Sequence, residues 1–505
     1  MRESKPKIHF DKTHILASKL SSSDIYIWLL TEGYYPENYV LPPMFHVERI
    51  PSITQFYTYR KGNPYKVPIQ ELVEINFPKS NLTDRTFGII EPHIHNDIAF
   101  EISDNWNQIL ELLFSSKNHV YSYSFPLPLD CKRIGKMGRL RSGRMIYEFI
   151  EMAEKDLVAE AYQYKYIVKT DIKNFYPSVY THSIPWAIHS KTTIRQAQNR
   201  YNYSYFGNRL DRLFQNSNDG CTNGLVIGPA VSDLIAEIIL SAVDSEISND
   251  LKDDYLIVRF KDDYRVLCKT ESAAQDAIKD IQEHLKDYKL LLNEEKTDIL
   301  DLPKGLFRPW VTEYQKIRPR KGPMSFREFQ ESYLNVLKID KDFPNTGIID
   351  RFLADLWDFN YNLYIPYSAR DLEMIISMLL LLADRRIKAF PSVLAIIEQI
   401  LKQYWTVTVR DAVESHLNSL LERLYSNAKN NRYLISWLLY FLKSNNLALG
   451  RLYTFDDVIE KTIYYDDDSL LFPSKDSQDF QLVRHIAQAK TTISMLEYLN
   501  VFPKK

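Results

Sequence analysis

The sequence predicts an α+β domain followed by an all-α helical array, and three observations support this prediction. Between about residues 130 and 310, short strand-like apolar runs alternate with amphipathic helical segments. After about residue 324 the apolar residues recur with helical periodicity and the strand patterns end. Only 14 of the 505 residues are glycine, which argues against a loop-rich or all-β chain. A chain of this length also exceeds what one hydrophobic core usually serves.

We divide the chain into three parts at changes in composition. Residues 1–130 mix short helical stretches with proline- and aromatic-rich segments such as GYYPENYVLPPMF (33–45), for which the prolines predict irregular backbone. Residues 131–316 carry the alternating strand and helix pattern. The stretch IRPRKGP (317–323) begins the third part, residues 317–505. Its successive helical segments predict a helical array, although no repeated sequence motif accompanies them.

Composition limits the class of protein. The net charge of −2 does not indicate whether the protein binds nucleic acid, because the basic residues of a nearly neutral chain can line a single channel. Cys131, Cys221 and Cys268 match no zinc-site spacing and are expected to be reduced thiols. The strongest apolar run, Ile375–Ala383, is shorter than the ~20 residues that span a bilayer. We therefore predict a cytoplasmic protein without a membrane partner.

Three aspartates follow or separate apolar runs that predict buried strands. Asp262 and Asp263 are adjacent within YLIVRFKDDYRVLCKT (255–270), and Asp171 follows the run YIVK about ninety residues earlier. Taken singly, the pair is typical of a solvated turn and Asp171 of a helix cap. If the strands share a sheet, three carboxylates would meet, and divalent cations would relieve their repulsion. Two Mg²⁺ or Mn²⁺ ions, about 3.5–4 Å apart, would suit phosphoryl transfer at such a cluster.

The order of these motifs resembles a known family. Asp171-x-x-x-Phe175-Tyr176, NGLVIGP (223–229) and RFKDD (259–263) stand in the order of reverse transcriptase palm motifs A, B and C. LNEEKT (292–297) resembles the later palm motif of bacterial reverse transcriptases. With its N-terminal segment and helical C-terminus, the chain resembles the bacterial abortive-infection (Abi, AbiK-like) polymerases of phage defence.

This resemblance implies a right-hand polymerase. Its fingers and palm would occupy residues 131–316, with part of the fingers in residues 1–130, and a HEAT-like helical domain would follow. Asp171, Asp262 and Asp263 would be the catalytic and metal-binding carboxylates, and Ile172 would offer its backbone carbonyl to a metal ion.

The same resemblance implies a set of nucleotide contacts. Tyr176 would be the aromatic steric gate under the sugar, beside Phe175, and would favour deoxynucleotides; a core position for Tyr176 is the alternative. Gly228 would allow the backbone to approach the nucleotide. Residues 132–144 hold six basic and no acidic side chains, so they predict either phosphate contacts or a solvated loop. The residues that we expect to contact phosphate or pyrophosphate are Arg133, Arg139, Arg141 and Lys296; a surface lysine is the alternative for Lys296.

Two departures from the family pattern bear on the template. Val226 and Ile227 stand where reverse transcriptases commonly have Pro-Gln, and Lys261 occupies the variable position of motif C. Both departures disfavour ordinary templated synthesis. The Abi family is associated with untemplated DNA synthesis in which a tyrosine hydroxyl replaces the primer 3′ end. The priming candidates are Tyr34, Tyr35 and Tyr39, and aromatic packing is the alternative for each of them.

The predicted function is therefore a Mg²⁺-dependent, template-independent and protein-primed DNA polymerase of abortive infection. Its partners would be deoxynucleoside triphosphates, a single-stranded DNA product attached covalently to the protein, and further copies of the chain in a homo-oligomer. Two alternatives are an RNA-templated reverse transcriptase, like those of retrons or group II introns, and a catalytically inactive polymerase-fold scaffold.

Overall fold

The computed structural model describes most of the chain. The described residues are 3–45, 47, 55–79, 83–128, 145–250, 254–320, 322–358, 362–366, 368–404, 406–447, 457–458 and 495. Within this part of the chain, no helix is both long enough and apolar enough to cross a membrane.

The described strands form two sheets. They are β1 (Val73–Pro78), β2 (Asp84–Ile89), β3 (Val120–Ser122), β4 (Tyr166–Asp171), β5 (Tyr255–Phe260), β6 (Asp263–Cys268) and β7 (Asp298–Asp301). β1 and β2 form an antiparallel hairpin. The other five form a sheet in the order β3-β5-β6-β4-β7, in which only the β3–β5 pair is parallel. This order places β4 directly beside the β5–β6 hairpin.

Twelve helices precede or surround the five-stranded sheet in the described residues. They are α1 (Lys5–Ala17), α2 (Ser22–Leu30), α3 (Pro92–Asp104), α4 (Trp106–Leu113), α5 (Met145–Ile150), α6 (Leu157–Glu160), α7 (Phe175–Ser178), α8 (Ser183–His189), α9 (Lys191–Ile194), α10 (Phe206–Asn216), α11 (Ala230–Asp250) and α12 (Glu271–Asp287). A π-helical turn, Glu151–Asp156, joins α5 to α6, and 3-10 turns cover Ala161–Gln163 and Glu294–Lys296.

Local sequence explains several of these boundaries. Ser21 and Asp24 form a reciprocal capping box at the start of α2, and the Thr270 side chain caps α12. α11 begins immediately after Pro229, which cannot donate a backbone hydrogen bond and is tolerated at a helix start. α12 packs on β4 and β6 and also contacts α11, so strands and helices share one buried core.

In the described residues of the C-terminal part, the regular elements are helices. Its helices are α13 (Pro309–Ile317), α14 (Phe326–Asp342), α15 (Ile348–Asp355), α16 (Ala369–Arg385), α17 (Phe390–Gln403), α18 (Val407–Tyr425) and α19 (Arg432–Ser444), with a 3-10 turn at Ile387–Ala389. Successive and alternate helices contact each other, as α16 does with α17 and α18. The mixed α and β architecture is as predicted, whereas a HEAT-like arrangement remains a prediction.

The packing crosses the boundary that composition places at residue 130. α1 to α4 join the core of the five-stranded sheet. The β1–β2 hairpin and the buried apolar residues between 34 and 47 instead join the core of the C-terminal helices. Phe77 of β1 meets Tyr433 of α19 edge to face, with ring centroids 5.3 Å apart. The N-terminal part therefore contributes to two hydrophobic cores.

Candidate active site

The three predicted catalytic aspartates meet at one end of the five-stranded sheet. Asp171 is the last residue of β4, and Asp263 is the first residue of β6; they are directly paired in the antiparallel register. Asp262 precedes Asp263 in the turn, and its carbonyl accepts a hydrogen bond of 3.1 Å from the Ile172 amide. The Ile172 side chain is buried, so this residue joins the two motifs through its backbone.

The turn that carries Asp262 is fixed by contacts beneath it. Lys261 has a φ of +53°, in the left-handed region that costs a residue other than glycine roughly 1–2 kcal/mol. Its amide donates to the Ser124 Oγ at 2.7 Å, and its carbonyl accepts from an Arg259 Nη at 3.1 Å. These two hydrogen bonds hold the turn in its unusual conformation.

The carboxylate cluster has little compensating positive charge among the described residues. One oxygen of Asp171 accepts from the Lys296 ammonium, while Asp171 Oδ1 is buried and has no hydrogen-bond partner among the described residues. Burial, and then the charge of Asp171, raises the pKa of Asp262. Desolvation and the charges of Asp262 and Asp171 raise the pKa of Asp263 to about 6, although part of that side chain reaches solvent. A group of carboxylates that resists ionisation in this way favours a bound cation.

The donor set fits divalent metal ions. Three carboxylates offer oxygen ligands, which suit Mg²⁺ and Mn²⁺. The orphaned Asp171 Oδ1 is a buried acceptor of the kind that usually has a partner in native proteins. The residues that would hold the ions are thus Asp171, Asp262 and Asp263.

A second acidic group in the fold is less suited to a metal. Ligand atoms of Glu246, His284 and Asp287 lie within 4.8 Å of one another. Tyr288 donates to Glu246 at 3.0 Å and Lys191 pairs with Asp287 at 2.8 Å, so the carboxylates already have partners within the protein. We interpret this group as an ion-pair network between α11, α12 and α9.

Tyr176 connects the three motifs. Its hydroxyl donates to Asp233 in the first turn of α11, and its carbonyl accepts from the Leu225 amide at 2.9 Å. The Lys261 ammonium lies 3.8 Å from the same Asp233 carboxylate. The Phe175 side chain is only 4% exposed and packs in the core. A nucleotide contact by Phe175 stays a prediction.

Gly228 has a φ of +136°, in a region that glycine adopts and other residues rarely do. A Cβ at this position would lie 3.1 Å from both the Gly88 carbonyl and Pro36 of the same chain. The close approach in this structure is thus to the β1–β2 hairpin and the N-terminal segment. A nucleotide contact by Gly228 stays a prediction.

The tyrosines proposed for priming differ in accessibility. Tyr34 and Tyr35 are almost fully buried, and the Tyr34 hydroxyl donates to the Ile90 carbonyl at 2.9 Å. Burial raises the pKa of both phenols, which opposes their use as nucleophiles. Aromatic packing, the alternative interpretation, is what the structure has for these two residues. Tyr39 is 42% exposed.

Four residues named in the sequence analysis are outside the part of the chain that the structure describes. Cys131 and the basic segment 132–144, with Arg133, Arg139 and Arg141, lie outside the described residues. Lys296 is described and contacts Asp171, as noted above.

Sequence reasoning missed a buried ionic network under the turn. Arg259 is fully buried and donates to Glu237 and Asp244 of α11, and Tyr264 also donates to Asp244. Two signals could have found it. Glu237 and Asp244 are seven residues apart, which places them on one face of a helix, and Arg259 interrupts an apolar strand.

Comparison with known proteins identifies the central part of the chain. Residues 128–319 match the family model described as reverse transcriptase (RNA-dependent DNA polymerase). The chain therefore contains a reverse transcriptase domain, and the three aspartates and Lys296 lie within it. No curated protein matches the sequence.

Similar solved structures are fungal telomerases. Apo telomerase from Candida tropicalis truncated from its C-terminal domain is 13% identical, with a TM-score of 0.32, covering 47% of this chain and 52% of that one. A second structure of apo telomerase from Candida tropicalis is 12% identical, with a TM-score of 0.34, covering 81% of this chain and 70% of that one. The chain thus spans about half the length of the first of these structures.

Proposed function

We propose that the chain is a metal-dependent DNA polymerase that extends DNA without a template from a tyrosine hydroxyl of the protein, as part of abortive-infection defence against phage. The observation that carries the polymerase activity is the direct pairing of Asp171 with Asp263, next to Asp262, with Asp171 Oδ1 lacking a hydrogen-bond partner among the residues that the structure describes. The reverse transcriptase domain agrees with this chemistry.

The residues of the site have distinct roles in this proposal. A hydroxyl oxygen attacks the α-phosphorus of the nucleotide, the α–β phosphoanhydride bond breaks, and pyrophosphate leaves. Bound divalent ions would supply activation of the attacking oxygen and stabilisation of the leaving oxygen. The side-chain hydrogen bond to Asp171 raises the pKa of Lys296, so its ammonium keeps a proton that it can offer to the pyrophosphate. Tyr176, oriented by Asp233, would lie under the sugar and exclude a 2′-hydroxyl.

Two features support synthesis without a template. Val226 is buried, and a Cβ on Gly88 would lie only 2.6 Å from its methyl group, so this side chain fills space against β2. The Ile227 carbonyl accepts from the Gly88 amide at 2.8 Å. The pair therefore anchors the motif B loop to the hairpin, and it offers no polar side chain to a templating base pair.

Protein priming needs a hydroxyl that can reach the nucleotide. Tyr39 is the best of the three candidates because its side chain is partly exposed, whereas Tyr34 and Tyr35 are buried. Tyr39 also belongs to the segment that packs on the C-terminal helices, where the Tyr433 hydroxyl donates to its carbonyl at 2.8 Å. A homo-oligomer, in which one copy could prime another, is part of this proposal.

The test uses the full chain with labelled deoxynucleotides and Mg²⁺ but no primer or template. We expect labelled product that stays with the protein after denaturation and that is lost in the double variant Asp262→Ala/Asp263→Ala. Mass spectrometry of the digested chain should locate the nucleotide on Tyr39, and Tyr39→Phe should abolish attachment. The matched control is Tyr162→Phe, at a side chain that is 81% exposed.

Other outcomes would select an alternative. Activity only with an added RNA template and a primer would refute the untemplated, protein-primed mechanism and favour a templated reverse transcriptase. Absence of both nucleotide incorporation and Mg²⁺ or Mn²⁺ binding by calorimetry would favour the inactive scaffold.

A further inference from the structure

A pocket of about 230 Å³ lies beside the active-site motifs and has no role in the chemistry described above. Its walls come from the segment after α7, from α8 and α9, from the loop between α9 and α10, and from α10 itself. The volume is below the roughly 300 Å³ at which typical ligand pockets begin, so it suits one small planar group better than a large molecule.

Aromatic side chains form much of the wall. Tyr180 meets His182 and Trp186 edge to face, with centroid distances of 4.8 and 5.7 Å. Tyr201, on the rim, is 67% exposed although it is a large aromatic side chain. Aromatic rings in the wall of a pocket offer faces on which a nucleobase can stack, and stacking contributes about 1–3 kcal/mol per base.

The charged groups at the pocket are mainly basic. Arg195 and Arg200 line it, are exposed, and have no carboxylate partner in the described ranges. The only acid of the lining, Asp211, is buried and already binds the His182 Nδ1 and the Gln215 amide. The unpaired guanidinium groups suit phosphate oxygens.

The loop that carries Arg200 and Tyr201 is held in place. Buried Asn208 donates from its side-chain amide to the Asn199 and Asn202 carbonyls, at 2.9 and 2.8 Å. The Asn199 amide in turn donates to the Thr193 carbonyl at 2.9 Å. A fixed loop loses less conformational entropy when a ligand binds.

The pocket is close to the gate residue of the active site. Residues 176–181 run beside residues 222–225, with backbone hydrogen bonds from Leu225 to Tyr176, from Gly224 to Val179 and from Thr181 to Thr222. Tyr176 begins this ribbon, and Tyr180 in the pocket lies four residues further on. Four residues span at most about 14 Å, which is the length of roughly four stacked base steps of ~3.4 Å.

We propose that this pocket binds an unpaired nucleobase, together with its flanking phosphates, from a single strand of nucleic acid that enters or leaves the active site. The base stacks against the aromatic wall near Tyr201, and Arg195 and Arg200 contact the phosphates on either side. This assignment rests on the proposed polymerase function, and it adds a strand-binding subsite that is separate from the metal-binding carboxylates.

The test measures binding without catalysis. Fluorescence anisotropy of a 5′-fluorescein-labelled dT12 is recorded with the full chain in EDTA, over a series of salt concentrations. We expect Tyr201→Ala to weaken binding about 5- to 150-fold, which corresponds to the loss of one stacked base. Because each phosphate contact on a single strand contributes about −0.7 to the slope of log K against log salt, Arg195→Ala/Arg200→Ala should make that slope shallower by about 1.4.

Controls are chosen at exposed positions of the same residue type on other elements. Tyr162→Ala and Arg327→Ala, with side chains that are 81% and 86% exposed, should leave affinity and salt slope unchanged. Thermal melting of each variant checks that it folds. The Asp262→Asn/Asp263→Asn variant should keep its oligonucleotide affinity while losing nucleotide incorporation.

The outcomes separate this inference from the proposed function. The proposed base-binding role of the pocket would be refuted if Tyr201→Ala bound the oligonucleotide within twofold of the wild-type affinity and the arginine double variant kept the wild-type salt slope. This holds even if the protein polymerises DNA. Competition by free dTMP at the same concentration as by unlabelled dT12 would also overturn it, since the pocket would then be a mononucleotide site. If the protein bound the oligonucleotide with the expected effects of the Tyr201 and arginine variants but had no polymerase activity, the strand-binding subsite would be supported and the proposed polymerase function would be refuted.

Discussion

Replacement of Arg259 by methionine should destabilise the protein by an amount that depends on pH. Arg259 is fully buried and makes five hydrogen bonds of 2.6–3.1 Å, to the carboxylates of Glu237 and Asp244 and to the Lys261 carbonyl. Methionine fills a similar length but leaves both carboxylates buried without their cation. Breaking a buried ion pair from one side typically costs about 3–5 kcal/mol.

The sign of the pH dependence follows from Asp244. Burial raises the pKa of this carboxyl to about 6 even though Arg259 lowers it. Without the arginine, its folded pKa should rise further above the unfolded value of about 3.9. The folded state then binds protons that the unfolded state does not, so stability is lost as pH rises. For one such proton, lowering the pH from 8 to 6 should restore up to about 2.7 kcal/mol.

The assay is urea denaturation followed by far-ultraviolet circular dichroism at pH 8 and pH 6. Arg259→Met should lose about 3–5 kcal/mol at pH 8 and clearly less at pH 6. The triple variant Arg259→Met/Glu237→Gln/Asp244→Asn removes the uncompensated charges and should recover most of the loss. A loss under about 1 kcal/mol at pH 8 would refute the buried network. A loss that neither changes with pH nor recovers in the triple variant would show that packing, rather than charge, is responsible.

Three further predictions concern the active site and its surroundings. Lys296→Met should lower the rate of nucleotide incorporation about 10²–10⁴-fold, as loss of a general acid does, and should leave the free energy of unfolding within about 1 kcal/mol of the wild-type value. Lys279→Met, at an exposed lysine of α12, is the control. An equal fall in the incorporation rate of the two variants would contradict a specific role for Lys296. Asp263→Asn should abolish the rise in melting temperature that Mg²⁺ causes in the wild type. Without metal at pH 8 it should melt no lower than the wild type, because one of three mutually repelling carboxylates is removed, and a lower melting temperature would refute this repulsion. His189 accepts a hydrogen bond from the Gly207 amide, and burial lowers its pKa to about 4, so it is neutral in the folded state. The wild type should therefore lose about 3 kcal/mol of stability from this group as the pH falls from 6.5 to 4. Denaturation curves of His189→Gln should show a free energy of unfolding that depends correspondingly less on pH. The same pH dependence in both proteins would exclude His189 as the cause.

The sequence predicted the carboxylate cluster because its signals are local. An apolar run ending in Asp171 and two runs flanking Asp262 and Asp263 identify strands and a turn, and strand pairing then needs only one long-range contact. The same kind of pattern does not decide between a core role and a nucleotide contact for Phe175, since an aromatic residue beside a functional one is equally suited to the core. Helical periodicity likewise predicted the helices after residue 324.

Long-range packing could not be read from such patterns. The proline-rich segment 33–45 predicts an irregular loop, yet Tyr34 and Tyr35 are buried in the core of the C-terminal helices. The contact between the Tyr433 hydroxyl and the Tyr39 carbonyl joins residues 394 positions apart, and no periodicity in either segment specifies it. Tertiary packing decides which aromatic residues of an irregular segment stay exposed.

The three carboxylates proposed to bind metal ions are held together by contacts within the protein. The β4–β6 ladder fixes Asp171 opposite Asp263, and Lys261 is locked from below by Ser124 and Arg259. Asp233 of α11 accepts a hydrogen bond from the Tyr176 hydroxyl of α7 and lies near the Lys261 ammonium. It therefore connects α7, α11 and the turn that carries Asp262. Repulsion among the three carboxylates is therefore opposed by backbone pairing and by polar contacts around them. Such a site is preorganised for ions, because the cost of assembling the carboxylates is met during folding.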